Sequence, residues 1–508
     1  MGSVEHWAST DPHREILFED ERTMTWEQID RASDSLAESL AQRGLGEGDI
    51  VAVRTQIRME WVVIDTALSK LGCRLLGMNW RLTPSEAQHM LISSAAVGLI
   101  CDDADPTLLA PALEGTAVSV AVSLDGSAPG FLDYHELIRV PAPHRISSAP
   151  ARLVIYTSGT TGRPKGVEIK MRPGQEKEAL EYYFEVAKSI AATPVDTYLA
   201  TMPYSHGAGP SQTRMCLMVG ARVIFLRRYE PECALDLINR YGVTTWATVP
   251  TMLKRLAALP EDVLTRKRPT TLRQVATGAA PVATNLKHWA VGYFGDILHE
   301  AYGTTEVGVL TLATPEMLRH RPATSGRPHA HVTFSVRGPD GTALPSGEQG
   351  ELWVRTPVVI DGYLNAAPFG PDVLDSDGFF RTGDVGYVDE QGYLFITDRA
   401  KDMIVSGGVN LYPAEIEAAL LSAHQVQDVA VIGIPDEEFG EQVKAFVELK
   451  PGAHATPEDL MAVARDTLAS YKRPKSIEIV DELPRNVMGK LLKKDIRAPY
   501  WEGRERNV

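Results

Sequence analysis

The apolar positions in the first 250 residues alternate between helical and strand spacing. The stretch "MTWEQIDRASDSLAESLAQRGLGEGD" has apolar residues at helical intervals and ends in glycines, and the β-branched run "IVAVRT" follows it. Further along, "ARVIFLRRY", "ECALDLINRYGV" and "TTWATVP" predict a strand, a helix and a strand in succession. Because this alternation is typical of a largely parallel sheet with helices on its faces, the sequence predicts an α/β fold.

The pattern changes near Asp398, where "GYLFITD" ends a strand. Beyond it, the apolar spacing predicts a helix, two strands, a second helix and a last strand, in "YPAEIEAALLSA", "DVAVIGIPD", "VKAFVELK", "TPEDLMAVARDTLA" and "KSIEIVDEL". About 110 residues in that order make a small α+β domain of ordinary size. We therefore predict a large N-terminal domain at residues 1–398 and a small C-terminal domain at residues 399–508.

Chain length and charge narrow the class of protein. At 508 residues the chain is too long for one hydrophobic core, so two or more domains are expected. The formal net charge of -15 argues against nonspecific binding of nucleic acid, because such binding depends on a surface rich in Lys and Arg. A phosphate site in this chain must therefore be built locally.

The cysteines and the N-terminal stretch favour a cytoplasmic protein. Cys73, Cys101, Cys216 and Cys233 lie far apart without a CxxC motif or metal-ligand spacing, so we expect buried thiols in a reducing compartment. The chain begins Met-Gly, but position 6 is His rather than the Ser or Thr of a myristoylation signal. No apolar run has the length of a signal core or a membrane span, so we expect neither.

The stretch "VIYTSGTTGRPKGVEIK" at residues 154–170 predicts a phosphate-binding loop between two strands. Its glycines let the backbone approach an anion, its hydroxyls add hydrogen-bond donors, and Lys165 adds positive charge. A Walker A loop is disfavoured because Pro164 and Gly166 flank the lysine and the following β-branched residues favour a strand. A hairpin loop of ordinary turn residues is the alternative. The candidate phosphate ligands in the loop are Thr157, Ser158, Gly159, Thr160, Thr161 and Gly162.

Six motifs in this order resemble the adenylate-forming superfamily, which comprises acyl- and aryl-CoA synthetases, nonribosomal-peptide adenylation domains and beetle luciferases. They are "YTSGTTGRPKG" (156–166), "MPYSHG" (202–207), "ATGAAP" (276–281), "EAYGTTEVG" (300–308), "RTGDVGYVDEQGYLFITDRAKDMIVSGGVNLYPAEIE" (381–417) and "PRNVMGK" (484–490). The resemblance implies a large multi-lobed N-terminal adenylate-forming domain and a small C-terminal lid domain. It also implies an enzyme that converts a carboxylic acid to acyl-AMP with ATP and Mg²⁺ and then transfers the acyl group to coenzyme A.

The motif "EAYGTTE" carries groups suited to a nucleotide. Tyr302 offers a flat ring for a nucleobase, Gly303 leaves room for the ligand, and Glu306 is a carboxylate suited to Mg²⁺. A strand end with a solvated glutamate is the alternative. The resemblance implies that Tyr302 packs on adenine, that Thr305 contacts the α-phosphate and that Glu306 holds the magnesium ion. It implies further nucleotide-binding positions at Gly278, Ala279, Ala280, Ala301, Thr304, Asp384, Ile396 and Arg399.

The motifs "RTGD" and "DRAKD" add a carboxylate and two cations. The Asp384 carboxylate could accept hydrogen bonds from both vicinal hydroxyls of a ribose, and the resemblance implies the same role. By resemblance, Arg399 approaches the ribose or the phosphates, and Lys401 is the hinge between the two domains. A hinge residue must absorb a large change in φ and ψ. An exposed charged turn is the alternative for "DRAKD".

By its local sequence alone, Lys490 is a solvated lysine on a flexible surface loop. The resemblance instead implies that it bridges the substrate carboxylate and the α-phosphate during adenylation, where an ammonium offsets the charge between two anions. The small domain would then swing, remove Lys490, and bring Gly407 and Gly408 to line a tunnel for the pantetheine thiol. The catalytic residues implied in this way are Lys165, Thr305, Glu306 and Lys490.

The motif "MPYSHG" predicts the start of the acid pocket, where His206 either gates the pocket or only packs. Ser205 and His206 stand where amino-acid-activating relatives usually carry an Asp, so an amino-acid substrate is disfavoured. The small residues at positions 207–209 leave space for a long or bulky apolar tail, so a fatty or bulky apolar acid is favoured. Arg214 is either a structural residue, which we favour, or a ligand of a second carboxylate. The predicted substrate residues are His206, Gly207, Val249 and Gly308.

The favoured function on the sequence is an acid–CoA ligase. One alternative is an acyl-AMP ligase that loads a carrier protein, because coenzyme A and carrier proteins both present a pantetheine thiol. A noncatalytic nucleotide-binding relative is the other alternative. The expected partners are a small carboxylic acid, ATP and coenzyme A, and no nucleic acid. The sequence does not decide whether the protein forms a homodimer.

Overall fold

A computed structural model describes residues 2–502 other than residues 148, 158–163, 170, 171, 173, 190–192, 281, 407, 408, 487 and 488. The strands are β1 (Glu15–Glu19), β2 (Arg22–Thr25), β3 (Ile50–Arg54), β4 (Arg74–Met78), β5 (Gly98–Cys101), β6 (Val120–Ser123), β7 (Leu132–Asp133), β8 (Arg152–Thr157), β9 (Lys165–Glu168), β10 (Thr197–Ala200), β11 (Arg222–Phe225), β12 (Thr245–Thr248), β13 (Gln274–Gly278), β14 (Leu298–Thr304), β15 (Gly308–Ala313), β16 (Arg327–Pro328), β17 (Thr333–Arg337), β18 (Gly350–Arg355), β19 (Phe380–Val388), β20 (Leu394–Arg399), β21 (Ile404–Ser406), β22 (Val409–Leu411), β23 (Val426–Asp436), β24 (Gly440–Leu449) and β25 (Ser476–Val480).

The α-helices are α1 (Val4–Thr10), α2 (Trp26–Ala41), α3 (Glu60–Leu71), α4 (Pro84–Ser94), α5 (Ala110–Leu113), α6 (Tyr134–Leu137), α7 (Glu176–Ser189), α8 (Ala208–Met218), α9 (Pro231–Tyr241), α10 (Pro250–Ala257), α11 (Glu261–Arg266), α12 (Thr284–Phe294), α13 (Pro315–His320), α14 (Pro413–Leu420), α15 (Pro457–Thr467) and α16 (Lys493–Trp501). Short 3₁₀ helices occur at Pro106–Leu109, Ala400–Asp402 and Ser470–Lys472. Within the described residues, none of these helices is both long enough and apolar enough to cross a membrane.

Two large, mostly parallel sheets form the framework of the first 330 residues. The nine-stranded sheet has the order β16-β15-β14-β13-β12-β10-β11-β1-β2, and its six central strands, β14 to β1 in that order, run parallel. The seven-stranded sheet has the order β7-β6-β5-β3-β4-β8-β9 and is parallel except for the last pair. In that pair Thr157 faces Lys165, so β8 and β9 flank the predicted phosphate loop.

The predicted alternation of helix and strand is confirmed in these sheets. Helix α2 begins at a capping box, in which the Thr25 hydroxyl accepts from the Gln28 N–H at 3.3 Å and the Gln28 side chain accepts from the Thr25 N–H at 2.8 Å. The same helix buries Trp26, Ile29 and Leu36 at helical spacing. The β-branched run after it forms β3, which is buried along its whole length.

The C-terminal third of the chain forms two smaller sheets. Strands β17 to β20 make an antiparallel four-stranded sheet, and β21 to β25 make a five-stranded sheet. The predicted order of helix, two strands, helix and strand is confirmed as α14, β23, β24, α15 and β25. The hairpin of β21 and β22 comes before them and was not predicted. A domain boundary after Asp398 stays a prediction; β20 ends at Arg399, and the five-stranded sheet begins at Ile404.

The cysteine prediction is correct at three positions and wrong at one. All four thiols are free; Cys73, Cys101 and Cys216 are buried, whereas Cys233 is exposed. Cys233 lies in the first turn of α9, an amphipathic helix that turns Ala234, Leu235 and Ile238 into the core and leaves the opposite face to solvent. The spacing of cysteines in the sequence could not distinguish these two faces.

Candidate active site

A cavity of about 2560 Å³ brings together most of the predicted site residues. It opens where the parallel strands β13 and β14 end, the edge of an open α/β sheet at which ligands commonly bind. The predicted residues that line it are Thr157, Lys165, His206, Gly207, Gly278, Ala279, Ala301, Tyr302, Gly303, Thr304, Thr305, Glu306, Gly308, Arg399, Lys401 and Lys490.

Some predicted residues do not line this cavity. Val249 is only 1 % exposed and packs in the core, because β12 ends just before it and α10 begins just after it. Val249 is not among the residues that line the cavity, and contact of its side chain with the acid stays a prediction. Asp384 and Ile396 lie behind the cavity wall beside Tyr302, and Ala280 is half-buried. The predicted residues outside the described part of the chain are Ser158, Gly159, Thr160, Thr161, Gly162, Gly407 and Gly408.

The wall formed by β13 and β14 depends on small residues. Gly278 is paired with Ala301 across the two strands, and a Cβ on Gly278 would lie 2.5 Å from the Ala301 carbonyl oxygen. Ala279 follows with a φ of 66°, a left-handed conformation that costs an L-residue free energy. Backbone strain of this kind often occurs at binding sites, where the surrounding structure holds it in place.

Tyr302, Asp384 and Arg399 form a compact polar group at the cavity wall. The Tyr302 hydroxyl donates to Asp384 Oδ2 at 2.5 Å, and Arg399 Nε lies 2.5 Å from Asp384 Oδ1. Burial and the Asp384 carboxylate raise the pKa of Tyr302, so its hydroxyl remains a donor. Each carboxylate oxygen has two lone pairs, so the predicted ribose contact requires Asp384 to accept additional hydrogen bonds, and that role stays a prediction.

Lys490 lies in the cavity, whereas its local sequence alone indicates a solvated surface lysine. Its backbone N–H donates to Asn486 Oδ1 at 3.0 Å, and the Asn486 N–H donates to the Lys490 carbonyl at 2.9 Å. Burial first, and then the positive charges of Arg399 and Lys401, lower the pKa of Lys490 to about 8. A half-buried ammonium near two other cations is suited to binding an anion.

The segment that carries Lys490 is anchored to the large sheets by charge pairs. Lys254 on α10 lies 2.9 Å from Asp428 on β23, and Arg485 lies 2.8 Å from the same carboxylate. Gly489 has a φ of 72°, and a Cβ there would overlap the Thr251 hydroxyl. These contacts hold the turn before Lys490 against α10 and so direct the lysine toward the cavity.

The pKa of Lys490 predicts a pH limit on any reaction that needs its charge. A lysine with an ordinary pKa near 10.4 stays charged to about pH 9.5, but this one loses its proton as the pH rises through about 8. For adenylation, kcat/KM should therefore fall above about pH 8, since this parameter reports the free enzyme. Pyrophosphate exchange measured from pH 6.5 to 10 checks this. A profile that stays flat to pH 9.5 would contradict a role for the Lys490 charge.

Lys165 and Glu306 are connected through Tyr363, which the sequence motifs did not identify. Lys165 Nζ lies 4.8 Å from the centre of the Tyr363 ring, and the Tyr363 hydroxyl donates to Glu306 Oε1 at 3.5 Å. Burial, together with the Glu306 carboxylate, raises the pKa of Tyr363 to about 12. The signal available in the sequence was an aromatic residue in a loop between Gly362 and Pro368.

The motif "MPYSHG", predicted to start the acid pocket, contributes a neutral histidine to the cavity lining. Burial lowers the pKa of His206 to about 4, so the imidazole carries no charge at neutral pH. Gly308, with a φ of 79°, packs against Tyr182 of α7, whose hydroxyl donates to the Val309 carbonyl at 2.9 Å. The pocket wall near these residues is mainly aromatic and apolar, but Thr304, which is paired with Gly308 across the strands, has a buried hydroxyl without a hydrogen-bond partner among the described residues.

Arg214 is held by a carboxylate of the protein itself. Its Nε donates to Asp65 Oδ2 at 3.0 Å, its Nη2 is paired with Asp65 Oδ1, and the same Nη2 donates to the Ala151 carbonyl at 2.8 Å. This bidentate pair uses the planar fork of the guanidinium. The structure therefore supports the structural role for Arg214 over binding of a second substrate carboxylate.

Arg214→Ala should destabilise the protein without changing which acids it accepts. Removal of one partner leaves the Asp65 carboxylate largely buried and unpaired, at a cost of about 3 kcal/mol. Thermal unfolding measures the loss, and Asp65→Ala in the same chain should recover part of it. The ranking of monocarboxylic acids should be unchanged. A preference for dicarboxylic acids that disappears in Arg214→Ala would overturn the structural role.

Lys401, the predicted hinge, lies in the 3₁₀ helix Ala400–Asp402 between β20 and β21. Arg497 on α16 donates from Nη1 to the Lys401 carbonyl at 3.0 Å and from Nη2 to Asp402 Oδ1 at 2.5 Å. A rotation at Lys401 would have to break this contact or carry it along. The hinge function stays a prediction.

Comparison with known proteins yields the same architecture along the whole chain. The family described as AMP-binding enzyme matches residues 4–364, and the AMP-binding enzyme C-terminal domain matches residues 415–490. A fatty acid–[acyl-carrier-protein] ligase, ScoC of Streptomyces coeruleorubidus, is 33% identical over 99% of this chain and 96% of its own.

Two solved structures match over nearly their full lengths. ATP-bound MatB from Rhodopseudomonas palustris has a TM-score of 0.87 and 28% identity, over 98% of this chain and 99% of that one. The o-succinylbenzoate CoA synthetase (MenE) from Bacillus subtilis, in complex with the acyl-adenylate intermediate OSB-AMP, has a TM-score of 0.82 and 27% identity, over 97% of both chains. The predicted α/β fold with a large N-terminal and a small C-terminal domain agrees with these matches.

Proposed function

Because the chain belongs to the AMP-binding enzymes and is an acid–thiol ligase, we propose that it activates a fatty or bulky apolar carboxylic acid and transfers the acyl group to coenzyme A. In the first half-reaction, a carboxylate oxygen attacks the α-phosphorus of ATP, the bond to the pyrophosphate oxygen breaks, and acyl-AMP and pyrophosphate form. In the second, the deprotonated thiol of coenzyme A attacks the acyl carbon, and AMP leaves with the electron pair of the carbon–oxygen bond.

The observation that carries this proposal is the set of charged groups around one cavity. Lys165 and Lys490, which lie 325 positions apart in the sequence, both line it, together with Arg399 and the carboxylate of Glu306. Such a set of cations and one carboxylate is suited to a polyphosphate with a divalent cation and to a second anion. A cavity for a neutral apolar ligand would not need them.

In adenylation, the protein's contribution is positioning and neutralisation of charge. Lys490 would bind between the carboxylate of the acid and the α-phosphate, where two anions repel each other. Lys165 would hold the outer phosphates, and the Thr305 hydroxyl would donate to the α-phosphate. No covalent intermediate with the protein is needed, because the acid itself is the nucleophile.

The carboxylate of Glu306 is chemically suited to bind a magnesium ion in this cavity. Its carboxylate lines the cavity, and Mg²⁺ is usually held by one or two carboxylates together with substrate phosphates. When bound, the ion would neutralise charge on the phosphates and so make the α-phosphorus easier to attack.

The second half-reaction would require the small domain to move. Rotation at Lys401 would withdraw Lys490 and bring Gly407 and Gly408 to the cavity, where the absence of side chains would leave room for a pantetheine arm. This part of the proposal rests on the sequence resemblance, since Gly407 and Gly408 lie outside the described residues.

The acid is inferred to be apolar from the groups that face the pocket. His206 is neutral at physiological pH, and Arg214, the arginine that the sequence offered as a ligand of a second carboxylate, is paired with Asp65. Methionines line the cavity along α8, at Met215 and Met218, and flexible thioethers accommodate irregular apolar bodies. These features favour a monocarboxylic acid without a second charge.

A carrier-protein acceptor is the second candidate, because one relative that spans this chain is named a fatty acid–[acyl-carrier-protein] ligase. A panel of short, medium, long and aromatic acids, each supplied with ATP, Mg²⁺ and coenzyme A, tests both. AMP release with equal consumption of the coenzyme A thiol is the expected result. Pyrophosphate release without thiol consumption would favour the carrier protein, because adenylation alone releases pyrophosphate, and no pyrophosphate release with any acid would argue against both.

A further inference from the structure

A loop between β18 and β19 is tied to both sides of the phosphate-binding region. The Ile360 N–H donates to the Glu306 carbonyl at 3.0 Å, and the Leu364 N–H donates to the Gly166 carbonyl at 2.7 Å. The loop closes on itself through a bridge between Gly362 and Pro368. Tyr363 therefore lies between two backbone anchors, one beside Glu306 and the other beside Lys165.

The close approach at the second anchor depends on a glycine. A Cβ on Gly166 would lie 3.0 Å from Leu364 Cβ and 3.0 Å from the Tyr156 ring, which is tighter than ordinary contact. The Tyr363 ring also packs edge to face against Phe369, with ring centres 5.0 Å apart. The ring is thus fixed by packing as well as by the backbone, and its two polar contacts have a defined geometry.

The contacts of Tyr363 with Lys165 and Glu306 affect ligand binding differently from a direct ion pair between these two residues. The Lys165 ammonium lies over the ring face and the Glu306 carboxylate accepts from the hydroxyl. A salt bridge between this ammonium and this carboxylate would neutralise both, and it would have to break before either could bind a phosphate or a cation. Contacts through a neutral tyrosine orient both groups and leave both charges available.

We propose that Tyr363 is a positioning residue that keeps Lys165 and Glu306 apart and oriented, so that one binds phosphate and the other binds Mg²⁺. This inference rests on the proposed function, because it takes ATP with Mg²⁺ as the ligand of the site. Removal of the hydroxyl should weaken the metal contact alone. Removal of the whole ring should release Lys165 as well and permit it to pair with Glu306.

Two substitutions separate these effects. Tyr363→Phe keeps the ring under Lys165 and removes the long hydrogen bond of 3.5 Å to Glu306, so the Mg²⁺ concentration that half-saturates ATP binding should rise about threefold, as for loss of one weak hydrogen bond. ATP affinity in EDTA should stay at the wild-type value. Tyr363→Leu should raise the Mg²⁺ requirement further and also weaken ATP binding in EDTA.

Isothermal titration of the full chain with ATP, at several Mg²⁺ concentrations and in EDTA, measures both quantities without relying on turnover. Tyr387→Phe is the matched control, because that ring stacks on Phe395 and does not line the cavity. A Tyr363→Phe protein with wild-type Mg²⁺ dependence would overturn the proposal even if Tyr363→Leu fails to fold. If the wild type binds ATP with Mg²⁺ but catalyses no acid-dependent exchange, the proposed function fails, while the variants still decide the role of Tyr363.

Discussion

Lys490→Ala should lose nearly all synthesis of acyl-AMP and keep the thioester-forming step. The Lys490 ammonium lies in the cavity with Arg399 and Lys401, where burial strengthens its interaction with anions. Loss of one preorganised group that stabilises developing charge commonly costs about 10²-fold or more in rate. Because the lysine would leave the site before thiol attack, the second half-reaction should proceed at a rate close to that of the wild type.

Each half-reaction can be measured separately. Acid-dependent exchange of labelled pyrophosphate into ATP reports adenylation, and synthetic acyl-AMP supplied with coenzyme A reports thioester formation. Lys494→Ala is the matched control, because Lys494 is exposed on α16 four residues further along. Equal damage to both half-reactions in Lys490→Ala would contradict the assignment of this lysine to adenylation alone.

Glu306→Ala should weaken the same exchange reaction by about 10²-fold, with a defect that depends on the Mg²⁺ concentration. The carboxylate at the cavity wall would no longer hold the ion, so excess Mg²⁺ should restore part of the rate. Glu306→Gln keeps the shape and removes the charge, and it should give a similar loss. Exchange rates across a range of Mg²⁺ concentrations provide the measurement.

The control for this experiment is Glu390→Ala, since Glu390 is exposed in the turn between β19 and β20. It should leave both the rate and the Mg²⁺ dependence unchanged. If the exchange rate of Glu306→Ala falls by the same factor at every Mg²⁺ concentration, the carboxylate does not act by holding the metal ion.

The sequence predicted helices and strands correctly where apolar residues lie on one face of the element and that face packs against the core. Helix α9 and strands β11 and β12 follow directly from apolar spacing, and all three pack as their patterns require. Val249 shows the limit of such reasoning. The sequence predicts it as a substrate residue, but its side chain is buried in the core at the start of α10.

The candidate site could be predicted only as far as its residues lie in motifs. Lys490 is found by its motif, but its low pKa arises first from burial and then from the charges of Arg399 and Lys401, and its own motif contains neither cause. Tyr363 was missed because its partners, Lys165 and Glu306, lie 198 and 57 positions away in the chain. Contacts over such separations depend on how β9, β15 and the loop after β18 come together, and spacing along the chain does not encode that.

We propose that this cavity makes acyl-AMP reversibly from ATP and a carboxylic acid. Exchange of labelled pyrophosphate into ATP, measured with Mg²⁺ and without coenzyme A across short, medium, long and aromatic acids, tests it most directly. We expect exchange that requires both Mg²⁺ and an acid and that is strongest with an apolar monocarboxylic acid. Exchange that is absent with every acid, or equally fast without any acid, would contradict it.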